Sequence, residues 1–183
     1  MSIENDLFRA SFVPPPPVKH KLFISYHHGG DQGYYDAFSR TFHDGYDVIY
    51  DNSLERQVDS DNVDYVIRRI RDNHITGTSC TVVLVGANTY GRKYVDWEIK
   101  ATLEKEHALI GVQLPSAPVV NSAIIVPDRL HDNIQSGYAV WTTWGQFTLS
   151  PQALQQYIAT ARGKDRSLIR NTRDRRLRNA PLT

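Results

Sequence analysis

Glu98 stands four residues after Tyr94 in the run Arg92-Lys93-Tyr94-Val95-Asp96-Trp97-Glu98-Ile99, a stretch of helix-forming residues that directly follows an apolar, β-branched segment, CTVVLVG, at residues 80–86. A carboxylate inside the first turns of a helix behind a buried strand is hard to justify by packing alone. Held there in advance, it can stabilise positive charge as that charge develops on a bound ligand. Val95, Ile99 and Thr102 or Leu103 recur at spacings of three and four and read as the apolar face, while Tyr94 and Glu98 form a separate i,i+4 pair. The pair looks along the rim of whatever crevice the strand opens onto.

Other residues that could do chemistry sit at the ends of apolar runs. KLFISY at residues 21–26 is followed by the glycine-rich HHGGDQG at 27–33, and DVIY at 47–50 by Asp51-Asn52-Ser53. The 80–86 run is followed by Asn88 and Thr89. Adjacent His27 and His28 suggest a metal or a phosphate. Neighbouring side chains of an extended segment point apart, however, and no third ligand stands at metal spacing. Contact of a phosphate with the backbone amides of the 27–33 loop is the better reading. No P-loop and no G-x-G-x-x-G fingerprint is present, and Ser25 lacks the G-x-S-x-G elbow of a hydrolase nucleophile. Asp51 could position a ribose or cap the following helix. Glu98 could equally pair with Lys100 or Lys105, and Tyr94 could be a packing or capping residue.

These groups need elements to position them. The sequence predicts strands at 21–26, 47–50, 80–86 and 109–114, a short one at 123–126 and a last one near 138–144. Helices are expected at 33–42, at 62–72 with Val63, Val66, Ile67 and Ile70 inward, across the Glu98 stretch, and at 151–161 with Ser150 as cap and Pro151 at the first position. Residues 116–137 read mostly as loop. Strands alternating with helices argue a parallel sheet with helices on both faces, and a flavodoxin-like five-strand order follows. In such a sheet the loops after the first three strands converge at a switch point. They would bring together Ser25, Tyr26, His27, Asp31, Asp51, Asn52, Asn88 and Thr89.

A chain of 183 residues, 40% hydrophobic and 22% charged, suits one domain with a real core and some tail. No run of eighteen apolar residues occurs and the polar, acidic start MSIENDLFRA is no secretory signal, so a cytoplasmic protein with no membrane association is expected. The single cysteine, Cys80, lies mid-strand and reads as core filler. VPPPPV at 13–18 is extended and sets residues 1–18 apart as an arm, with the folded domain at 19–162. A basic tail, 163–183, closes the chain: residues 162–183 hold seven arginines and one lysine against two aspartates within a chain of formal net charge +1. No aromatic residue interleaves with these arginines to stack on bases, so a solvated or disordered extension is expected there rather than a nucleic-acid site.

Together, Phe23-Ile24-Ser25-Tyr26, the loop after a Val-Ile strand, the turn Leu84-Val85-Gly86-Ala87-Asn88-Thr89 and the helix Tyr94-Val95-Asp96-Trp97-Glu98-Ile99 resemble the TIR-like superfamily, and more closely the TIR-like branch that includes the Thoeris antiviral protein ThsB. The resemblance covers about residues 19–114 and is strongest over 80–104. It implies a TIR-like domain whose catalytic-helix pattern, an aromatic residue followed four positions later by glutamate, maps onto Tyr94 and Glu98. It also implies an enzyme that uses NAD as substrate, with no cofactor or metal of its own, and makes a cyclic ADP-ribose-type second messenger. Glu98 would be catalytic; Ser25, Tyr26, His27, Asp51, Asn52, Asn88 and Tyr94 would bind substrate. The implied partners are a separate effector reached through the diffusible product, a phage protein as trigger and further copies of the chain. The alternative within the same family is a non-catalytic adaptor acting by protein association. NAD suits one carboxylate: its nicotinamide leaves as a neutral molecule and needs no general acid.

Overall fold

The computed structural model describes residues 20–49 and 62–180. Strands β1 (His20–Ser25), β2 (Tyr46–Ile49), β3 (Cys80–Val85) and β4 (Leu109–Gln113) alternate with helices α1 (His28–Phe42), α2 (Val63–Ile70) and α3 (Lys93–Glu104). A two-residue antiparallel hairpin, β5 (Val119–Val120) and β6 (Ala123–Ile124), follows, then α4 (Asp128–Gln135), β7 (Val140–Thr143), a single turn α5 (Trp144–Phe147) and α6 (Pro151–Arg162). The main sheet is parallel throughout, in the order β2-β1-β3-β4-β7. This α/β architecture, a parallel sheet flanked by helices, is TIR-like and flavodoxin-like.

Alternation along the strands assigns the two faces. Leu22, Ile24, Cys80, Val82, Leu84, Ile110 and Val112 pack on one side with Phe38 and Phe42 of α1 and Leu154 and Ile158 of α6. Val83 and Val85 face the other way, onto Val95, Ile99 and Leu103 of α3 and Leu130 of α4. Phe23 meets Val66, Ile67 and Ile70 of α2 together with Trp97 and Ala101 of α3. Every side chain of β3 is buried, as its near-continuous apolar sequence requires of a central parallel strand. Burial there pushes the Cys80 thiol well above its ordinary pKa.

Three elements differ from the sequence expectation. The glycine-rich 27–33 segment is not a loop: α1 begins at His28, so Gly29, Gly30 and Gly33 lie inside the helix. Burial of Tyr35, Phe38 and Phe42 on its inner face offsets the low helix propensity of glycine, and a Cβ at Gly29 would stand 2.7 Å from Cε1 of His27. α4 occupies what reads as loop. Its inward residues include Arg129 and Asn133 beside Leu130, and those polar groups erase the apolar period that marks a helix. The arginine-rich segment after α6 is neither disordered nor freely solvated: through residue 180 it is laid across α3 and α4 by specific hydrogen bonds.

Candidate functional site

β1 and β3 position the centre of the site. Phe23 and Ser25 lie on the α3 side of β1, and Ser25 pairs in register with Val83. Thr102 of α3 donates its hydroxyl to the Glu98 carbonyl at 2.8 Å and lies 3.0 Å from the Thr81 hydroxyl, which fixes the height of the helix on the sheet. Residues four apart share a helical face about 6 Å apart along the axis, and two strand residues rise about 6.6 Å. Counting from Thr102 over Thr81, Glu98 therefore sits at the level of Val83 and Ser25, at the carboxyl edge of the sheet. It is 6% exposed. Ser25 is 1% exposed, and its Oγ has no hydrogen-bond partner among the described residues. An orphaned buried hydroxyl costs about 1–3 kcal/mol, so this end of β1 carries an unused polar group.

Tyr26 points to the opposite face of β1. Its ring stacks on Tyr35 at 5.2 Å, and its hydroxyl donates to Oε1 of Gln32 at 2.8 Å, so it is buried support for α1. His27 is the residue before α1 and is partly buried. Asn88, on the exposed turn after β3, reaches the same place, for a Cβ at Gly30 would lie 3.9 Å from both Asn88 Nδ2 and His27 Nδ1. The first turn of α1 thus gathers His27 and Asn88 at the rim. Tyr94 is half-buried, edge-on to Trp97 at 5.2 Å with Lys93 Nζ 4.9 Å from its ring centre, and it packs toward α2. Asp51 and Asn52 lie outside the described residues.

Asp31 is a second acid at this edge, marked in the sequence only as a member of a converging loop. It is 2% exposed, and Thr89 Oγ1, which accepts from the Gly86 amide at 2.8 Å, shares its one proton between Asp31 Oδ2 at 3.3 Å and the Leu84 carbonyl at 3.2 Å. A Cβ at Gly86 would stand 2.1 Å from Asp31 Oδ1, so only glycine lets this carboxyl sit against the end of β3. Burial raises the Asp31 pKa; the Thr89 bond and nearby His27 oppose the rise. Its geometry ties α1 to the turn that carries Asn88. Among the described residues no group of histidine, cysteine and acidic side chains could hold a metal ion, and no helix is long and apolar enough to cross a membrane.

A third polar cluster lies behind the site. Arg129 is fully buried and its Nε donates to Asp96 Oδ1 at 2.9 Å, while Asp96 Oδ2 accepts from the Arg176 amide at 2.9 Å. Asp96 precedes Glu98 by two residues, so this cluster grips the outer side of the same helical turn.

Residues 23–118 match the family model described as Thoeris protein ThsB, TIR-like domain. A curated protein of Bacillus cereus (strain MSX-D12) with the name "Putative cyclic ADP-D-ribose synthase ThsB1" is 30% identical over 66 residues, 36% of this chain and 34% of that protein. The chain spans about a third of the length of the curated relative it matches. The matched family segment runs from β1 past β4 and contains α3; α4, β7, α6 and the arginine-rich segment lie outside it.

Proposed function

The chain belongs to the Thoeris ThsB TIR-like domain family, and from that membership we propose that it is an NAD-consuming enzyme: it cleaves the nicotinamide–ribose bond and forms a cyclic ADP-ribose-type messenger that activates a separate effector in antiviral defence. The observation that carries the proposal is the burial of Glu98 at the carboxyl edge of the sheet, level with the Ser25 hydroxyl, which has no partner among the described residues. The name of the Bacillus cereus relative, a cyclic ADP-ribose synthase, agrees with the reaction class.

The chemistry needs little from the protein. Nicotinamide in NAD is a cationic pyridinium; when its bond to C1′ of the ribose breaks, the bonding pair leaves with the ring nitrogen and nicotinamide departs neutral. Positive charge then develops on the ribose. In this reading the Glu98 carboxylate, low in exposure and fixed by α3, accepts hydrogen bonds from the ribose hydroxyls and stabilises that charge, an effect of several kcal/mol in a water-poor site. Asn88 and His27, at the first turn of α1, hold the phosphates or the far ribose. A nucleophile of the same molecule, an adenine nitrogen or a ribose hydroxyl, captures C1′ ahead of water if it is held within reach. Asp51 and Asn52, which follow β2 in the sequence, retain their proposed role as substrate contacts.

Glu98→Gln keeps the side-chain shape and removes the charge. In infected cells expressing either form, mass spectrometry of small molecules should find nicotinamide release and a cyclic product with the wild type and neither with the variant. Equal product from both would refute the assignment.

A further inference from the structure

α3 begins without a cap of its own. The residue before it is Arg92, in extended backbone conformation and with no capping side-chain bond, where Ser, Thr, Asp or Asn would ordinarily accept from the free amides of the first turn. The acceptor comes from elsewhere in the chain: Asn179 Oδ1 takes the hydrogen bond of the Lys93 amide at 2.9 Å, across 86 residues of sequence. Next to it the Ala180 amide donates to the Gly91 carbonyl at 3.0 Å. Gly91 adopts φ +76°, and a Cβ there would meet the Ala180 carbonyl oxygen at 2.1 Å. Further along, Trp97 Nε1 donates to the Arg176 carbonyl at 2.8 Å, and Asn171 Nδ2 donates to the Lys100 carbonyl at 3.3 Å. The buried Arg129 anchors the segment from below, donating to Asn171 Oδ1 and to the carbonyls of Arg173 and Asp174.

We propose that residues 170–180 form a strap that supplies α3 with its missing N-terminal cap and thereby sets the position of Glu98, with Asn179 as a positioning residue for the reaction proposed above, on which this inference rests. The strap lies wholly outside residues 23–118 that match the family model. It holds α3 by its outer side and its first turn, leaving the Glu98 face to the sheet.

The test uses the full chain with Asn179→Ala and Asn179→Asp, read by deuterium exchange of the α3 amides and by the kinetics of nicotinamide release. Loss of a cap worth about a factor of five in local opening should raise exchange at residues 93–98 of Asn179→Ala by roughly that factor. It should lower kcat by about three- to tenfold with KM nearly unchanged, because Glu98 is displaced rather than removed. Asn179→Asp keeps an acceptor and adds a charge that suits a helix N-terminus, so it should restore both readouts. Unchanged exchange in Asn179→Ala, raised exchange with kcat unmoved, or failure of Asn179→Asp to restore either would each overturn the proposal. A chain ending at Arg176 removes the cap and spares the Arg129 anchor; it should reproduce Asn179→Ala, and wild-type behaviour in it would refute the strap. If the wild type releases no nicotinamide, the enzymatic reading fails separately while the exchange result still decides whether the strap caps α3.

Discussion

Glu98 and Asp31 are two buried acids a few residues from the same sheet edge, and their surroundings give them different parts. Asp31 is held against Gly86 with its pKa raised by burial. An acid whose folded pKa lies above its unfolded one binds its proton more tightly when folded, so its contribution is most favourable below the unfolded value near 3.9 and is lost as pH rises through the folded value. Asp31→Asn, nearly isosteric and still able to accept from Thr89, should therefore raise stability at pH 7, with the gain vanishing below about pH 4. Urea titrations of both proteins at pH 7 and pH 3.5 check it; a variant less stable at neutral pH would assign Asp31 an ionised, bonded role instead. At this scale the sequence made Glu98 conspicuous, because an acid in an apolar helix after a buried strand violates its own pattern. Asp31 was nearly silent: its partner Thr89 stands 58 residues away, and only the fold shows that Gly86 makes room for it.

Elements were legible where one face is purely apolar. β3 and the helix behind it could be read from spacing, and so could α6, whose Ser150 hydroxyl accepts from the Ala153 amide at 3.1 Å beside Pro151. Ser150→Ala should cost about 1 kcal/mol and Ser150→Gly only a few tenths, measured by chemical denaturation. α4 escaped because its inward face is polar. Arg129 satisfies its charge on Asp96 and donates further to Asn171 Oδ1 and to the Arg173 and Asp174 carbonyls, a pattern that no local window contains. Arg129→Met should destabilise the protein by about 3–5 kcal/mol, since Asp96 stays buried without its partner. Adding Asp96→Asn should recover part of that loss, and a double variant no better than Arg129→Met would show that Asp96 is not the group left stranded.

For the molecule as a whole, acid is the condition to watch. At the end of the sheet away from Glu98, His107 bonds through Nε2 to Thr78 Oγ1 at 2.9 Å, and the Thr78 proton is committed to the Ile75 carbonyl at 2.8 Å. His107 therefore donates from Nε2. Burial first, then the nearby charges of Arg162 and Lys105, lower its pKa from 6.5 to about 4. A histidine shifted down binds its proton less tightly in the folded state, so its contribution is intact above pH 6.5 and is lost as pH falls through 4. His107→Gln, which can keep the Nε2 donor, should flatten the decline in melting temperature between pH 6.5 and 4; an unchanged slope would place the acid sensitivity elsewhere. The strap adds a property of timing. Because the acceptor for Lys93 arrives 86 residues later in the sequence, a nascent polypeptide still lacking Asn179 emerges from the ribosome with the start of α3 uncapped. Formation of the first turn of α3 is in this way coupled to the arrival of a segment that the family-matched residues 23–118 do not contain.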